Sequence, residues 1–273
     1  MPPLSRLRLP IRLPLIRRAL ASVAAALQHD TSTWTQAPLS FVAPASADAS
    51  LFHVSVDISD APDLADSYTS PGQYIQLRVP AADKPTFLAV ASPPSLVASR
   101  GEFQFLVKRV RGSTADLLCT LERGDVVELG DIMGRGFQLE RISPPDAFPS
   151  VLIFATGTGI SPIRALIESG FNANERSEVK LYYGARNLQR MAYQDKFKDW
   201  ESMGVKIIPV LPKPHERWNA EQGYVQAALL RAKQVLNPSS TGIVLCGHKR
   251  MTEDITSALL ADGVSKEKIL MNF

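Results

Sequence analysis

Cysteine is scarce in this 273-residue chain, which holds only Cys119 and Cys246. Two isolated cysteines give no disulfide framework and no spacing for a metal ion or an iron–sulfur cluster. The rest of the composition, 45% hydrophobic and 21% charged, is that of an ordinary globular protein with a full core. The length leaves room for two domains.

Acidic residues are missing from the first 29 positions, which carry five arginines. Without these arginines the chain has 25 basic against 27 acidic residues, a net charge of −2. The body therefore has no basic stripe and no overall charge that would attract nucleic acid. The acid-free, Arg-rich start predicts an organellar transit peptide within residues 1–34, for the chloroplast or alternatively the mitochondrion. A secretory signal and a disordered cytosolic tail are the other interpretations.

Long hydrophobic runs are also missing. The most apolar run of the N-terminal segment, Ala19–Leu27, is too short to span a bilayer, so we expect no transmembrane segment there.

A buried strand followed by a glycine turn is predicted at residues 151–159. Val151 to Ala155 are all apolar, which indicates the strand. Gly157 and Gly159 flank Thr158, and residues without a Cβ let the backbone turn tightly and approach a ligand closely. The order of strand, turn and helix favours a dinucleotide site, with a plain strand–helix turn as the alternative.

The helix that follows the turn is expected to face an anion with its N-terminus. Ser161 is a suitable N-cap, and Pro162 suits the first helical position. The free N–H groups there favour a diphosphate. Arg164 in the first turn is unfavourable against the helix dipole unless an anion lies nearby, so we include it among the candidate binding residues.

Residues 35–147 show short strands between turn signals, typical of an antiparallel barrel or sandwich. One helix is predicted over Gly112–Leu121, where Ser113 or Thr114 is a suitable cap. Its N-terminus is a second candidate anion site, with an ordinary cap as the alternative. Residues 131–137 are expected to form a glycine-rich loop.

Residues 148–273 alternate between strands and helices, which predicts a parallel sheet. Ligands of such sheets bind beyond the carboxyl ends of the strands. Three segments are expected to meet there: Thr156–Gly159, Gly184–Arg186 and Cys246–His248.

Several motifs occur in the order found in the ferredoxin–NADP⁺ reductase superfamily. They are Pro71-Gly-Gln-Tyr74, Gly112-Ser-Thr114, Met133-Gly-Arg-Gly-Phe137, Thr156-Gly-Thr-Gly-Ile-Ser-Pro162, Tyr183-Gly-Ala-Arg186, Gly223-Tyr-Val-Gln226, Cys246-Gly247 and the ending Ile269-Leu-Met-Asn-Phe273. Residues 38–273 resemble that superfamily, and within it the plant FAD/NAD(P)-binding oxidoreductases of the kiwifruit-fruit-protein type. The resemblance implies a FAD-binding barrel over 35–147, a nicotinamide-dinucleotide domain over 148–273, and hydride transfer between the two rings.

The resemblance also assigns roles to single residues. Gly157, Thr158, Gly159, Ser161 and Pro162 would hold the diphosphate of the nicotinamide dinucleotide. Cys246, followed by Gly247, would face the nicotinamide, because a thiol is small and polarisable; a buried core cysteine is the alternative. Phe273 would shield the flavin or be the last core residue of the sheet.

The identity of the dinucleotide depends on the residues after the second parallel strand. Gly184-Ala-Arg186 ends that strand with no acid close by to select the NAD ribose. Arg186, Arg190 and Lys213 are candidate cations for a 2′-phosphate, or simply a solvated face. We therefore expect NADPH rather than NADH.

The flavin site departs most from the superfamily pattern. Where the family has Arg-x-Tyr-Ser/Thr, this chain has Thr86-Phe-Leu-Ala89. The diphosphate-binding arginine becomes Thr86, the ring-stacking tyrosine becomes Leu88, and the hydroxyl near the flavin becomes Ala89. Ala89 and Val90 still offer backbone groups to the ring. Candidate replacements for the missing charge are Lys84, Lys108 and Arg109, and Gly112, Ser113 and Thr114 would carry more of the diphosphate.

Two functions of different classes follow. The first is a FAD-dependent NAD(P)H oxidoreductase that passes electrons to a separate, unidentified acceptor. The second is a dinucleotide-binding regulatory or assembly protein that kept the fold and lost flavin.

Overall fold

The computed structural model describes residues 34–82, 84–212, 218, 220–232 and 237–272. The predicted transit peptide, Lys213 and Phe273 lie outside this part of the chain, and so these predictions remain untested. Trp34–Phe273 form one compact unit.

Six antiparallel strands form the first sheet. They are β1 (Thr35–Pro44), β2 (Leu51–Asp57), β3 (Tyr74–Arg78), β4 (Thr86–Ala89), β5 (Glu102–Lys108) and β6 (Val126–Met133). Their order in the sheet is β4-β3-β6-β1-β2-β5. A bridge between Val90 and Phe105 joins the two outer strands and closes the sheet into a barrel. The predicted antiparallel barrel is therefore confirmed.

Six parallel strands form the second sheet. They are β7 (Ser150–Thr156), β8 (Glu178–Gly184), β9 (Val205–Leu211), β10 (Glu221–Gln222), β11 (Thr241–Cys246) and β12 (Ile269–Met271), in the order β10-β9-β8-β7-β11-β12. Strand β7 lies between β8 and β11, so the strand order reverses at β7. Its residues from Val151 to Ala155 are all buried, as expected for a strand covered on both faces. The predicted parallel sheet is confirmed as well.

Seven α-helices accompany these strands in the described residues. They are α1 (Pro62–Ser67), α2 (Pro94–Arg100), α3 (Thr114–Leu118), α4 (Ile160–Glu168), α5 (Phe197–Ser202), α6 (Val225–Ala232) and α7 (Lys249–Ala261). None of the described helices is long and apolar enough to cross a membrane.

Three details differ from the sequence-based expectation. Strand β1 was not predicted, because Pro38 breaks its pattern. In the structure Thr35–Pro38 pair with β6 and the residues from Leu39 pair with β2, so the proline lies where the strand changes partners. Strand β6 extends to Met133 through part of the expected glycine-rich loop, and α3 is a shorter helix than predicted.

Hydrophobic packing joins the barrel to the parallel sheet. Leu51, Leu106 and Phe137 come from the barrel half, yet they belong to the same core cluster as Ile160 and Cys246. The site between the two sheets is therefore built on a continuous core.

Candidate functional site

Two cavities open at the carboxyl ends of the parallel strands. The first has a volume of about 620 Å³ and the second about 440 Å³. Both are lined by Lys108, Thr156, Gly157, Thr158 and His248, so they adjoin at the turn after β7. This is the strand-order reversal, where ligands of open α/β sheets bind. The convergence of three strand ends that the sequence predicts is therefore present.

The turns after β7 and β11 fit tightly against each other. A Cβ on Gly159 would overlap the carbonyl oxygen of Cys246, and a Cβ on Gly247 would overlap the hydroxyl of Thr156. The same hydroxyl accepts a hydrogen bond from the backbone N–H of His248 at 3.0 Å. Glycine is required at both positions, since the two backbones approach too closely for a side chain.

Helix α4 begins earlier than the sequence indicates. Gly157–Gly159 form a 3₁₀ turn that runs directly into Ile160, so Ser161 and Pro162 lie inside the helix. The expectation that Ser161 is the N-cap is wrong, because Gly159 takes that position. The Ser161 hydroxyl instead donates to the carbonyl oxygen of Ala89 in the barrel at 3.2 Å. Both Ser161 and Pro162 line the second cavity.

Cys246 lies in the wall of the second cavity together with Gly247. Its thiol donates a hydrogen bond to Oδ1 of Asn272 at 3.4 Å. Burial raises the pKa of Cys246 to about 12, so the side chain is a neutral thiol at pH 7. A neutral thiol is a poor nucleophile but a compact, polarisable wall for a ring.

The first cavity has a cationic rim. Gly184, Arg186 and Arg190 line it, as predicted for a dinucleotide site, and so does Tyr224, which is 66% exposed. Arg190 is held by an ion pair with Asp48. No ion pair is found for Arg186 among the described residues, which leaves its charge available at the rim.

Arg164 is not at either cavity. It is 8% exposed, forms an ion pair with Glu168 at 3.1 Å, and donates to Gln104 of the barrel at 2.8 Å. Trp200 also donates to Glu168, at 3.2 Å. The anion expected near Arg164 is thus the carboxylate one turn further along α4. Because that carboxylate already compensates the guanidinium, the geometry gives no support for a contact between Arg164 and a cofactor, which stays a prediction.

The strand that departs from the superfamily pattern faces the second cavity with Leu88 and Ala89. Leu88 is also part of the barrel core, and Val90 is fully buried against the opposite side of the barrel. Val90 lines neither cavity, so only its backbone remains a candidate contact. Phe87, which sequence reasoning passed over, also lines the cavity and is 54% exposed beside Tyr74.

The helix start at Gly112–Thr114 lies outside both cavities, and the chain itself already occupies its polar groups. Gly112 N–H donates to the carboxylate of Asp116 at 3.0 Å. The Ser113 hydroxyl accepts from Asp116 N–H and donates to a backbone carbonyl, and Thr114 donates to the carbonyl of Lys84. A carboxylate at this helix start repels a phosphate, so the predicted anion site there requires Asp116 to move.

Lys108 and His248, which the sequence already indicates as candidates, line both cavities. Sequence reasoning missed Asn272 beside Cys246. The signal for Asn272 was a lone amide that directly follows an apolar strand near the end of the chain.

The comparisons with known proteins agree with this geometry. The family model described as oxidoreductase NAD-binding domain matches residues 153–257. The fruit protein pKIWI502 of Actinidia deliciosa is 51% identical over 251 residues, which are 90% of this chain and 79% of that protein. The electron transfer component of toluate 1,2-dioxygenase from Pseudomonas putida is 27% identical over 71% of this chain and 55% of its own length.

Two solved structures share the fold. The cytochrome b5 reductase domain of Ulva prolifera nitrate reductase has a TM-score of 0.71 at 18% identity, covering 88% of this chain and 97% of that domain. A ferredoxin–NADP⁺ reductase from Neisseria gonorrhoeae, solved with FAD and NADP, has a TM-score of 0.69 at 18% identity, covering 87% and 97%. The chain therefore belongs to the family of the kiwifruit fruit protein, with an oxidoreductase NAD-binding domain and the ferredoxin reductase-like fold.

Proposed function

We propose that this protein is a FAD-dependent NAD(P)H oxidoreductase, in which a hydride passes between nicotinamide and flavin and the electrons then go to a separate acceptor. One observation carries the proposal. The second cavity has Leu88 and Ala89 of the barrel on one side and Thr158 and Cys246 of the parallel sheet on the other, and it is open and adjoins the first cavity.

The second cavity suits the flavin ring well, whereas the residues expected around the FAD diphosphate suit it less. The small side chain of Ala89 leaves room for a planar ring, and Phe87 adds an exposed aromatic face. The diphosphate lacks the usual arginine, because Thr86 stands in its place. Arg109 is paired with Asp116 and Lys84 lines neither cavity, which leaves Lys108, at the junction of the cavities, as the available cation. Losing a charge-assisted contact costs about 1.5–3 kcal/mol, so we expect weak FAD binding.

The residues where the two cavities adjoin each have a defined role in this proposal. FAD would supply the hydride-accepting ring system. Gly157, Thr158 and Gly159 bring backbone N–H groups close to the dinucleotide diphosphate, and Lys108 adds positive charge. Cys246 presents a neutral thiol that excludes water and does not take up the hydride itself. The bond from Ser161 to Ala89 keeps the two walls of the cavity at a fixed distance.

The dinucleotide is proposed to be NADPH. The rim of the first cavity offers Arg186 with an uncompensated charge and Tyr224 with an exposed ring for stacking on adenine. A guanidinium binds a 2′-phosphate in a bidentate manner, which a ribose hydroxyl does not reproduce.

An absorption spectrum tests the proposal directly. The purified protein reconstituted with FAD should show a bound flavin band that bleaches when NADPH is added under anaerobic conditions. A protein that stays colourless after reconstitution would contradict it.

One group of observations supports the alternative in which the protein binds no flavin. The donors at Gly112 and Ser113 are taken up by Asp116 and by backbone, and Leu88 is part of the barrel core. A dinucleotide-binding regulatory or assembly protein would show no flavin band in the absorption spectrum. Calorimetric titration with NADPH would still detect binding of the dinucleotide.

We further propose import into the chloroplast, with the mitochondrion as alternative, on the composition of residues 1–34 alone. A fluorescent protein fused behind these residues should enter the plastid, and retention in the cytosol would contradict the proposal.

A further inference from the structure

A buried amide lies beside the thiol in the wall of the second cavity. Asn272 is 2% exposed and lines this cavity. Its Oδ1 accepts the hydrogen bond from the Cys246 thiol. Its Nδ2 is buried and has no hydrogen-bond partner among the described residues. Burying a donor without a partner is costly, and most such groups in folded proteins are satisfied.

The backbone around Asn272 is fixed from the barrel side. A Cβ on Gly72 would lie 3.1 Å from the Asn272 Cβ, and a Cβ on Gly134 would lie 3.6 Å from its carbonyl oxygen. On the other side, the preceding residue, Met271, pairs with β11. The amide is therefore held between the two sheets, where it has little freedom to turn towards bulk water.

Several other residues that line the second cavity offer no free side-chain donor. Leu88, Ala89 and Pro162 carry no donor, and the Ser161 hydroxyl is engaged with a backbone carbonyl. The thiol of Cys246 is engaged with Asn272 itself. Among the described residues that line the second cavity, Asn272 Nδ2 is the only buried side-chain nitrogen or oxygen without a partner.

We propose that Asn272 is a positioning residue whose Nδ2 donates a hydrogen bond to a carbonyl oxygen of the heterocycle bound in the second cavity. This inference rests on the proposed function, because the cavity must bind flavin and nicotinamide. The carbonyl belongs either to the flavin ring or to the nicotinamide carboxamide, which present the same acceptor chemistry. A purely structural amide would be better replaced by an apolar side chain of equal volume, since Nδ2 gains nothing in the unliganded protein.

Two variants and one control test the inference in the full-length protein. Asn272→Leu removes both polar atoms at nearly constant volume. Asn272→Asp keeps an acceptor for the Cys246 thiol and replaces the amide NH₂ with an acidic oxygen, so it also introduces a negative charge when ionised. Met271→Leu changes the neighbouring residue, which is 38% exposed and lines neither cavity, and serves as the control.

The readouts are the dissociation constant of FAD from flavin fluorescence, the dissociation constant of NADP⁺ from calorimetry, and the melting temperature without cofactor. Both Asn272 variants should weaken one of the two ligands by about three- to tenfold, whereas the control should match the wild type. Weaker FAD binding identifies the flavin carbonyl as the acceptor, and weaker NADP⁺ binding identifies the carboxamide. The melting temperature of Asn272→Leu should fall only slightly, because the satisfied bond that is lost is the weak one from the Cys246 thiol and Nδ2 has no partner to lose.

Three outcomes would overturn the inference. Affinities within twofold of the wild type would show that the donor is not used. Weakening in Asn272→Leu but not in Asn272→Asp would assign the effect to the thiol contact. A large fall in the melting temperature of Asn272→Leu, beyond the loss of one thiol hydrogen bond, would show a structural role. A wild-type protein that binds neither ligand would instead defeat the proposed function itself, and the inference with it.

Discussion

The hydroxyl of Ser161, in the first turn of α4, donates a hydrogen bond to the carbonyl oxygen of Ala89 at the end of β4. This bond links two residues that line the second cavity, one from the parallel-sheet half and one from the barrel, 72 residues apart in the chain. It fixes the distance between the wall proposed to face the nicotinamide and the wall proposed to face the flavin. A distance change of 1 Å between reacting groups costs about 100-fold in rate, so small contacts of this kind matter.

Ser161→Ala should therefore affect catalysis more than stability. Loss of the hydrogen bond should lower the free energy of unfolding by about 1 kcal/mol, measured by urea denaturation. The rate of hydride transfer, measured as flavin bleaching in a stopped-flow instrument, should fall by clearly more than the small loss of stability suggests. Ser169→Ala is the matched control, because Ser169 makes a similar bond to the Ala165 carbonyl at the far end of α4. Equal rates in the two variants would refute the positioning role.

Arg164→Met should destabilise the protein without removing a cofactor contact. It leaves the Glu168 carboxylate, 16% exposed, without its cation, and breaking such a pair costs about 3–5 kcal/mol. Arg164→Met combined with Glu168→Gln should recover much of the loss, because no uncompensated charge remains. Urea denaturation measures both variants. Lys249→Met, which breaks the exposed pair with Glu253 on α7, should change little. A double variant as unstable as the single one would contradict this explanation.

The sequence pattern was sufficient for the architecture and for the centre of the site. Apolar runs such as Val151 to Ala155 have few other possible structures. Gly159 and Gly247 lie where two backbones meet, and Gly157 has a φ of +55°, which favours glycine. These features are local in the chain, which is why a pattern reveals them.

Contacts between distant segments were not predictable in the same way. Arg164 was expected at an anion because the helix dipole disfavours a cation there, but the pattern does not show that Glu168 and Gln104 complete its environment. Asn272 becomes informative only when Cys246 and the barrel loops surround it. The partners of a polar side chain are set by the tertiary packing, which spacing along the chain does not encode.

Gly159→Ala should disrupt the junction of the two cavities. The new Cβ would overlap the backbone carbonyl of Cys246, which has no flexible side chain to move aside. Overpacking of this kind costs about 1–3 kcal/mol, and NADPH affinity should fall because the turn shifts. Gly170→Ala is the contrasting variant, since Gly170 has a φ of +68° and no atom within 4 Å of the added Cβ, so it adds backbone strain without overlap, whereas Gly159 has a φ of −60° and gains only the overlap. Unchanged NADPH binding in Gly159→Ala, measured by calorimetry, would show that this turn does not hold the dinucleotide.

Arg186→Ala should change the choice of dinucleotide. If Arg186 binds the 2′-phosphate, its removal should raise KM for NADPH about tenfold or more and leave KM for NADH nearly unchanged. Arg231→Ala is the matched control, because Arg231 is paired with Glu221 and does not line the first cavity. An equal rise of both KM values would assign Arg186 to the general binding of either dinucleotide and would weaken the case for NADPH.

His53 should make the protein less stable in mild acid. Desolvation, assisted by the positive charge of Arg164, holds the pKa of His53 below its ordinary value of 6.5. The unfolded chain then binds more protons as the pH falls from 6.5 towards the lowered pKa, so the free energy of unfolding decreases in that window. His53→Asn should remove this part of the decrease, which urea denaturation at pH 7.5 and 5.0 measures. Asp48, whose pKa is also lowered, acts below its ordinary value of 3.8 and does not interfere. A variant whose stability falls as steeply as that of the wild type would exclude His53 as the source.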